Sequence, residues 1–268
     1  SLCRMNMFLH GIDDARIAWG DTLVNPQHLE NDKLMKFQVV VANPPFSLDK
    51  WASGFAGEGS EEKFKMEASL DPYRRFDWGV PPASKGDFAF IQHMLNSLAE
   101  GGRMGVVLPH GVLFRGASEG KIRENIIKLN LLDAVIGLPS NLFFGTGIPA
   151  VILVFKQNRN RKEVLFIDSS GDDFVEKGKN QNVLREEDIQ RIVDAYEKYE
   201  KIAKFAHVAS IHEIKENDYN LNIPRYVDTF EEEEEVDMNA IKENIQAIKT
   251  ELAEVEVIMA KYLDELGL

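Results

Sequence analysis

Residues 36–46 read KFQVVVANPPF, and this stretch decides the fold. Val39, Val40, Val41 and Ala42 form an apolar, mostly β-branched run without alternation. Such a run predicts a central strand of a parallel sheet, covered on both faces. Pro44 and Pro45 cannot continue a ladder, so Asn43 opens a loop at the strand's carboxyl end. Working outward, residues 87–99 place Phe88, Ile91, Leu95 and Leu98 on one helical face, ended by Gly101-Gly102. Residues 103–109 (RMGVVLP) predict another buried strand, 118–129 a helix, 131–138 a strand, 150–156 (AVILVFK) a strand and 164–168 a short edge strand. Upstream, residues 15–23 read as a short strand-like run ending in Gly20-Asp21. Alternating strands and helices predict an α/β fold with a doubly wound, Rossmann-like sheet. In such sheets ligands sit outside the carboxyl ends of the strands, where Asp21, residues 43–46 and Pro109 all fall.

The chain has 268 residues, enough for one large domain or one domain with an appendage. Its formal net charge of −13 argues against gripping nucleic acid through a basic surface of its own. The charge is uneven. Residues 1–150 hold 15 Lys/Arg and 17 Asp/Glu, a net of −2; residues 151–268 hold 16 and 27, a net of −11. The single cysteine, Cys3, excludes an internal disulfide and a multi-cysteine metal site, and fits a reducing, cytoplasmic setting. The six histidines show no ligand spacing, so no metal site is expected. The longest apolar stretch, 149–155, is far short of the ~20 residues that cross a bilayer, so no membrane role is expected. Leu2, Met5, Phe8 and Leu9 read as a helix already under way, as expected for the later part of a longer protein.

Past residue 170 the composition changes. Residues 185–205 predict a charged amphipathic helix, residues 208–227 carry few signals, and residues 231–235 are five glutamates. Met238, Ile241, Ile245, Ile248, Leu252, Val255, Met259, Tyr262 and Leu266 then follow in alternating steps of three and four. This heptad seam predicts a coiled-coil or bundle helix for assembly, with a helix packed on its own domain as the alternative. The expected division is 1–170 for the α/β domain, 171–235 for a helical or irregular extension and 236–268 for the assembly helix.

Asn43-Pro44-Pro45-Phe46 carries the chemistry, although a tetrapeptide this short also reads as a plain proline turn. A planar, conjugated NH₂ is a poor nucleophile because its lone pair is delocalised. Two acceptors on its two hydrogens draw it toward tetrahedral geometry and free that pair. The Asn43 side-chain oxygen and the Pro44 carbonyl can supply both, Pro45 stiffens the loop, and Phe46 offers a face for an extruded base. Enzymes that modify a base take it out of the stack.

With its longer matches, the chain resembles the modification (M) subunit of type I restriction-modification systems, an adenine-specific DNA methyltransferase that uses S-adenosylmethionine. The stretches that carry the resemblance are MNMFLHGI (5–12), GDTL (20–23), VVANPPF (40–46), RFDWGVPPASKGDFAFIQHML (75–95), GGRMGVVLPHGVLFR (101–115), LPSNLFFGTGIPAVILVF (138–155) and DYNLNIPRYV (218–227). The resemblance implies catalytic roles for Asn43, Pro44, Pro45 and Phe46 at the target base. It implies that Asp21 binds the cofactor's adenine amine and that Phe90 packs on the cofactor's adenine. A turn residue and a core aromatic are the other readings of these two. It places Phe143 or Phe144 near the flipped base. Lys85 and Asp87 match family positions without an assignable role.

The family's Gly-rich cofactor loop (Asp-Pro-Ala-Cys-Gly-Ser-Gly) does not occur in the chain, nor does the acidic residue that holds the cofactor's ribose. The expectation is therefore a chain lacking the N-terminal part of the methyltransferase, inactive by itself and a weak binder of S-adenosylmethionine. The implied partners are a specificity (S) subunit, a second M subunit, a restriction (R) subunit and, through that complex, DNA. Residues 47–86, rich in Gly, Ser, Lys and Glu, are expected to be a lid or DNA-facing loop. Protein-glutamine or RNA amino-group methyltransfer, or a mainly scaffolding role, are the alternatives.

Overall fold

The structure, a computed structural model, describes residues 2–56, 64–144, 146–229 and 238–266. It falls into two compact units, Ser1–Thr229 and Phe230–Leu268.

In the first unit the elements run α1 (Leu2–Leu9), a hairpin of β1 (Leu29–Glu30) and β2 (Lys33–Leu34), β3 (Phe37–Ala42), α2 (Asp87–Asn96), β4 (Leu98–Pro109), α3 (Ala117–Lys128), β5 (Leu132–Gly137), β6 (Ala150–Lys156) and β7 (Val164–Asp168). A small hairpin of β8 (Glu176–Lys177) and β9 (Asn182–Val183) follows, then α4 (Glu186–Lys198), β10 (Ala206–Ala209) and α5 (Ile211–Glu216). Six strands form one mixed sheet in the order β10-β7-β5-β6-β4-β3. The pairs β3/β4 and β5/β7 are parallel; β4/β6, β5/β6 and β7/β10 are antiparallel.

Period-2 alternation assigns the two faces. Val135, Leu153, Phe155 and Phe166 join one core, with Ile91, Leu95, Ile122 and Ile126 of α2 and α3. Ala134, Ile136, Leu165 and Ile167 join the other, with Ile192 and Ala195 of α4. Helices on both faces of a mixed sheet make the α/β architecture that the pattern predicted.

Four expectations change. The run in β3 was expected to be a central, doubly covered strand, but among the described residues β3 is the outermost strand, with Val39 54% and Val41 76% exposed. Only Val40 and Ala42 turn toward the core. An unalternating apolar run reports that two faces can be covered; among the described residues one face is. Residues 15–23 form no strand; a turn follows Asp21 instead. The helix expected over 185–205 stops at Lys198, where Tyr199 takes a left-handed φ of 53° and the chain turns back into β10. Finally, the described parts of 47–86 are anchored on the core by several side chains, which counts against a loose lid. Trp51, Ala52, Met66 and Phe76 are buried in a cluster with Leu23 and Ala89.

The stretch with few sequence signals also builds core. Ile214, Leu221, Ile223, Tyr226 and Val227 are buried, and Tyr226 stacks on Phe166 with ring centroids 3.9 Å apart. Residues from 171 to 229 thus share the compact unit of the sheet.

The second unit holds α6 (Met238–Leu266). Ile245, Ile248, Leu252, Val255, Met259, Tyr262 and Leu266 of its seam are all exposed. The side chains of Met238 and Ile241, and the glutamate run 231–235, lie outside what the structure describes. Among the described residues no helix is long and apolar enough to cross a membrane.

Candidate active site

The β3/β4 register, with Ala42 beside Val106, sets residues 43–46 at the carboxyl end of the sheet, next to the Pro109 end of β4 and Ala150 at the start of β6. Pro44 is buried, while Asn43 and Pro45 are exposed. Among the described residues neither the Asn43 side chain nor the Pro44 carbonyl has a hydrogen-bond partner. Two acceptors therefore stand free at a strand end. Phe46 is half-buried and meets Phe143 edge-on, centroids 5.9 Å apart at 73°. Phe143 is held by a β-bridge to Thr146, whereas the neighbouring Phe144 is 88% exposed. The structure thus brings Phe143, and not Phe144, onto the loop.

The segment that follows is clasped. Ser47, at φ 50°, donates its backbone N–H to Asp87 Oδ1 at 2.7 Å, and its hydroxyl lies 3.3 Å from Oδ2. Asp87 is fully buried in the first turn of α2, where the helix dipole favours a carboxylate. Arg115 Nη2 donates to Asp87 Oδ2, and the same guanidinium grips Glu119 at 2.6 and 3.0 Å. Burial works against the Arg115 charge, but hydrogen bonds and charge from Glu119 and Asp87 outweigh it and hold its pKa above the ordinary value. A second strap runs from Gly86 N–H to Leu48 O at 3.0 Å. A Cβ on Gly86 would sit 3.1 Å from Trp51 Cβ, so the close approach favours glycine.

A second group gathers around Asp21. Its Oδ1 accepts from the N–H groups of Leu23 (2.8 Å) and Val24 (3.1 Å), which makes it a turn cap with an exposed carboxylate. Phe90 of α2 is half-buried against the cluster that contains Leu23. Fully buried Arg75 ties this turn down, donating to Thr22 O (3.2 Å), Leu23 O (2.6 Å) and Asp71 (2.8 Å). Arg75 also donates to His93 Nδ1 at 3.1 Å, which leaves the His93 proton on Nε2. Burial first, and then the Arg75 charge, push His93 down to about 4. Burial likewise lowers His110, just past Pro109. Lys85 donates its backbone N–H to Pro82 O, and no role for its side chain emerges. Among the described residues no three or more His, Cys, Asp or Glu are grouped to hold a metal ion.

The N-6 DNA methylase family model matches residues 1–235. The chain belongs to the N-6 DNA methylase family. Within it, the chain is 33% identical to the type I restriction enzyme MjaVIII methylase subunit of Methanocaldococcus jannaschii, over 99% of this chain and 46% of that protein. It is 36% identical to the MpnII methylase subunit of Mycoplasma pneumoniae, over 92% of this chain and 45% of that one. The crystal structure of a type I restriction-modification methyltransferase subunit from Streptococcus thermophilus superposes with a TM-score of 0.73 at 45% identity. It covers 85% of this chain and 46% of that one. The resemblance to type I modification subunits therefore holds, and the chain spans about half the length of these relatives.

The acceptors of residues 43 and 44 lie with Phe46 and Phe143 at the strand end, and Asp21 caps a turn whose Leu23 packs in the cluster that Phe90 joins. Sequence reading missed the Asp87–Arg115–Glu119 clasp and the Asp71–Arg75–His93 knot. Both ion pairs carry a visible i,i+4 spacing, Arg115 to Glu119 and Asp71 to Arg75, but that spacing ordinarily marks a surface pair.

Proposed function

We propose that the protein to which this chain belongs transfers a methyl group from S-adenosylmethionine to the exocyclic amine of adenine in DNA, as the M subunit of a type I restriction-modification complex. The observation that carries this reading is the pair of unpartnered acceptors, Asn43 and Pro44, beside the Phe46–Phe143 pair in a chain of this family. An adenine extruded from the duplex stacks on Phe46. Its two amine hydrogens are accepted by Asn43 Oδ1 and the Pro44 carbonyl, which frees the nitrogen lone pair for attack. The bound cofactor supplies an electrophilic methyl group on a sulfonium. Asp21 accepts from the cofactor's adenine amine with the carboxylate oxygen that does not cap the turn, and Phe90 packs on the adenine ring. No covalent intermediate with the protein is needed, which agrees with Cys3 being far from the motif in sequence.

A specificity subunit reads the DNA and presents the target, and a second M subunit and a restriction subunit complete the assembly. The exposed seam of α6 supports an assembly role for that helix. Asn43→Ala in the full-length protein, assayed in its complex, removes one of two directed acceptors and lowers methyl transfer by about 10²-fold or more with DNA binding retained. An unchanged transfer rate rules the reading out.

A further inference from the structure

The geometry points to Asp87 as the positioning residue of the target-amine loop, held to its task by Arg115 and Glu119. This rests on the reading of residues 43–46 given above. Among the described residues the acceptors of that loop make no protein hydrogen bonds, so their direction is set by what holds the loop's two ends. The entering end is β3, in register with β4. The leaving end is Ser47, immediately after Phe46, and its backbone N–H is taken by the buried carboxylate of Asp87 at 2.7 Å. The left-handed φ of Ser47 is costly for a side-chain-bearing residue and persists because this bond and the Gly86–Leu48 strap over-determine it. A carboxylate with no solvent contact needs a cation, which Arg115 supplies; Arg115 in turn is oriented by its two-point grip on Glu119. The chain Glu119–Arg115–Asp87–Ser47 therefore transmits the position of α3 to the loop.

The test uses the full-length protein in its complex, with single-turnover methylation, KM for duplex and for S-adenosylmethionine, and thermal midpoints. Displacement of a catalytic group by about 1 Å costs about 10²-fold. Asp87→Asn is expected to lower kcat between about 10-fold and 10²-fold with both KM values near those of the parent, while the thermal midpoint falls because the buried ion pair with Arg115 is lost. Ser47→Ala keeps the backbone bond and is expected to stay within about twofold of the parent rate. A parent-like kcat for Asp87→Asn overturns the role, and so does a loss of kcat accompanied by a rise in both KM values, as general disruption of the site would give. If Asp87→Asn does not fold, Arg115→Lys decides on the same terms, since it keeps the charge and loses the two-point grip. Asn43→Ala runs in parallel. Inactive Asn43→Ala with fully active Asp87→Asn removes only the positioning role, whereas active Asn43→Ala removes the loop reading and this role with it.

Discussion

At the scale of single residues, the site depends on buried polar groups whose partners are distant in sequence. Arg75 shows this most clearly. Its guanidinium has no solvent contact, and its donors go to Asp71, two backbone carbonyls 52 and 53 residues away and His93. A residue from the long segment after Phe46 thereby fixes the turn that presents Asp21. His93 is the titrating member of this knot. Its folded pKa of about 4 lies below the unfolded value, so the unfolded chain binds the extra proton first as pH falls. Stability is fully present above about pH 6.5 and is lost progressively toward pH 4, by ~3 kcal/mol. His93→Gln keeps an acceptor for Arg75 and removes the titration. Denaturant midpoints measured from pH 7 to pH 4 are expected to fall less steeply in that variant, and identical slopes would show that His93 is not the group responsible. Little of this was legible in the sequence: the i,i+4 spacing of Asp71 and Arg75 is visible, but that the pair is buried and meets His93 is set only when three elements fold together.

At the scale of elements, periodicity located strands and helices well and said little about their neighbours. The run in β3 has the composition of a central strand, yet Phe37, Val39 and Val41 are exposed at the sheet edge. Residues 206–209 carried almost no signal and became β10, because pairing with β7 compensated for weak propensity. The segment 47–86 looked loose by composition, but Trp51, Met66 and Phe76 anchor it. The seam of α6 is the element most fully written in the sequence. Ile258 and Leu263, also exposed, widen its lower part beyond a strict two-in-seven stripe, which suits packing against more than one helix. Burying such side chains stabilises association by about 1.5–3 kcal/mol each. Light scattering is expected to report an assembly for the full chain and a smaller mass per particle once residues 236–268 are removed. Equal association of the two chains would dismiss this role for the seam.

At the scale of the whole molecule, the acidity separates into a near-neutral half that holds the candidate site and an acidic half that ends in the seam helix. Backbone affinity for DNA grows with the cations that meet it, and neither half carries a net positive charge. On the proposed reading, residues 43–46 serve the target amine and Asp21 the adenine end of the cofactor, and the sequence given contains no Asp-Pro-Ala-Cys-Gly-Ser-Gly loop for the methionine end. Calorimetric titration of this chain with S-adenosylmethionine is accordingly expected to give no binding in the micromolar range, and micromolar affinity would refute that expectation. The sequence by itself determined the α/β class, the position of residues 43–46 at a strand end, the family and the heptad seam. These follow from local composition and spacing, which need no knowledge of neighbours. Only the tertiary structure decided that the sheet is mixed, that β3 is the outermost of the described strands, that Phe143 and not Phe144 meets Phe46, and that Asp87 and Arg75 are buried clasps. Those facts depend on which distant segments are brought together and shielded from water, and burial is what turns an ordinary charged pair into a fixed support for a site.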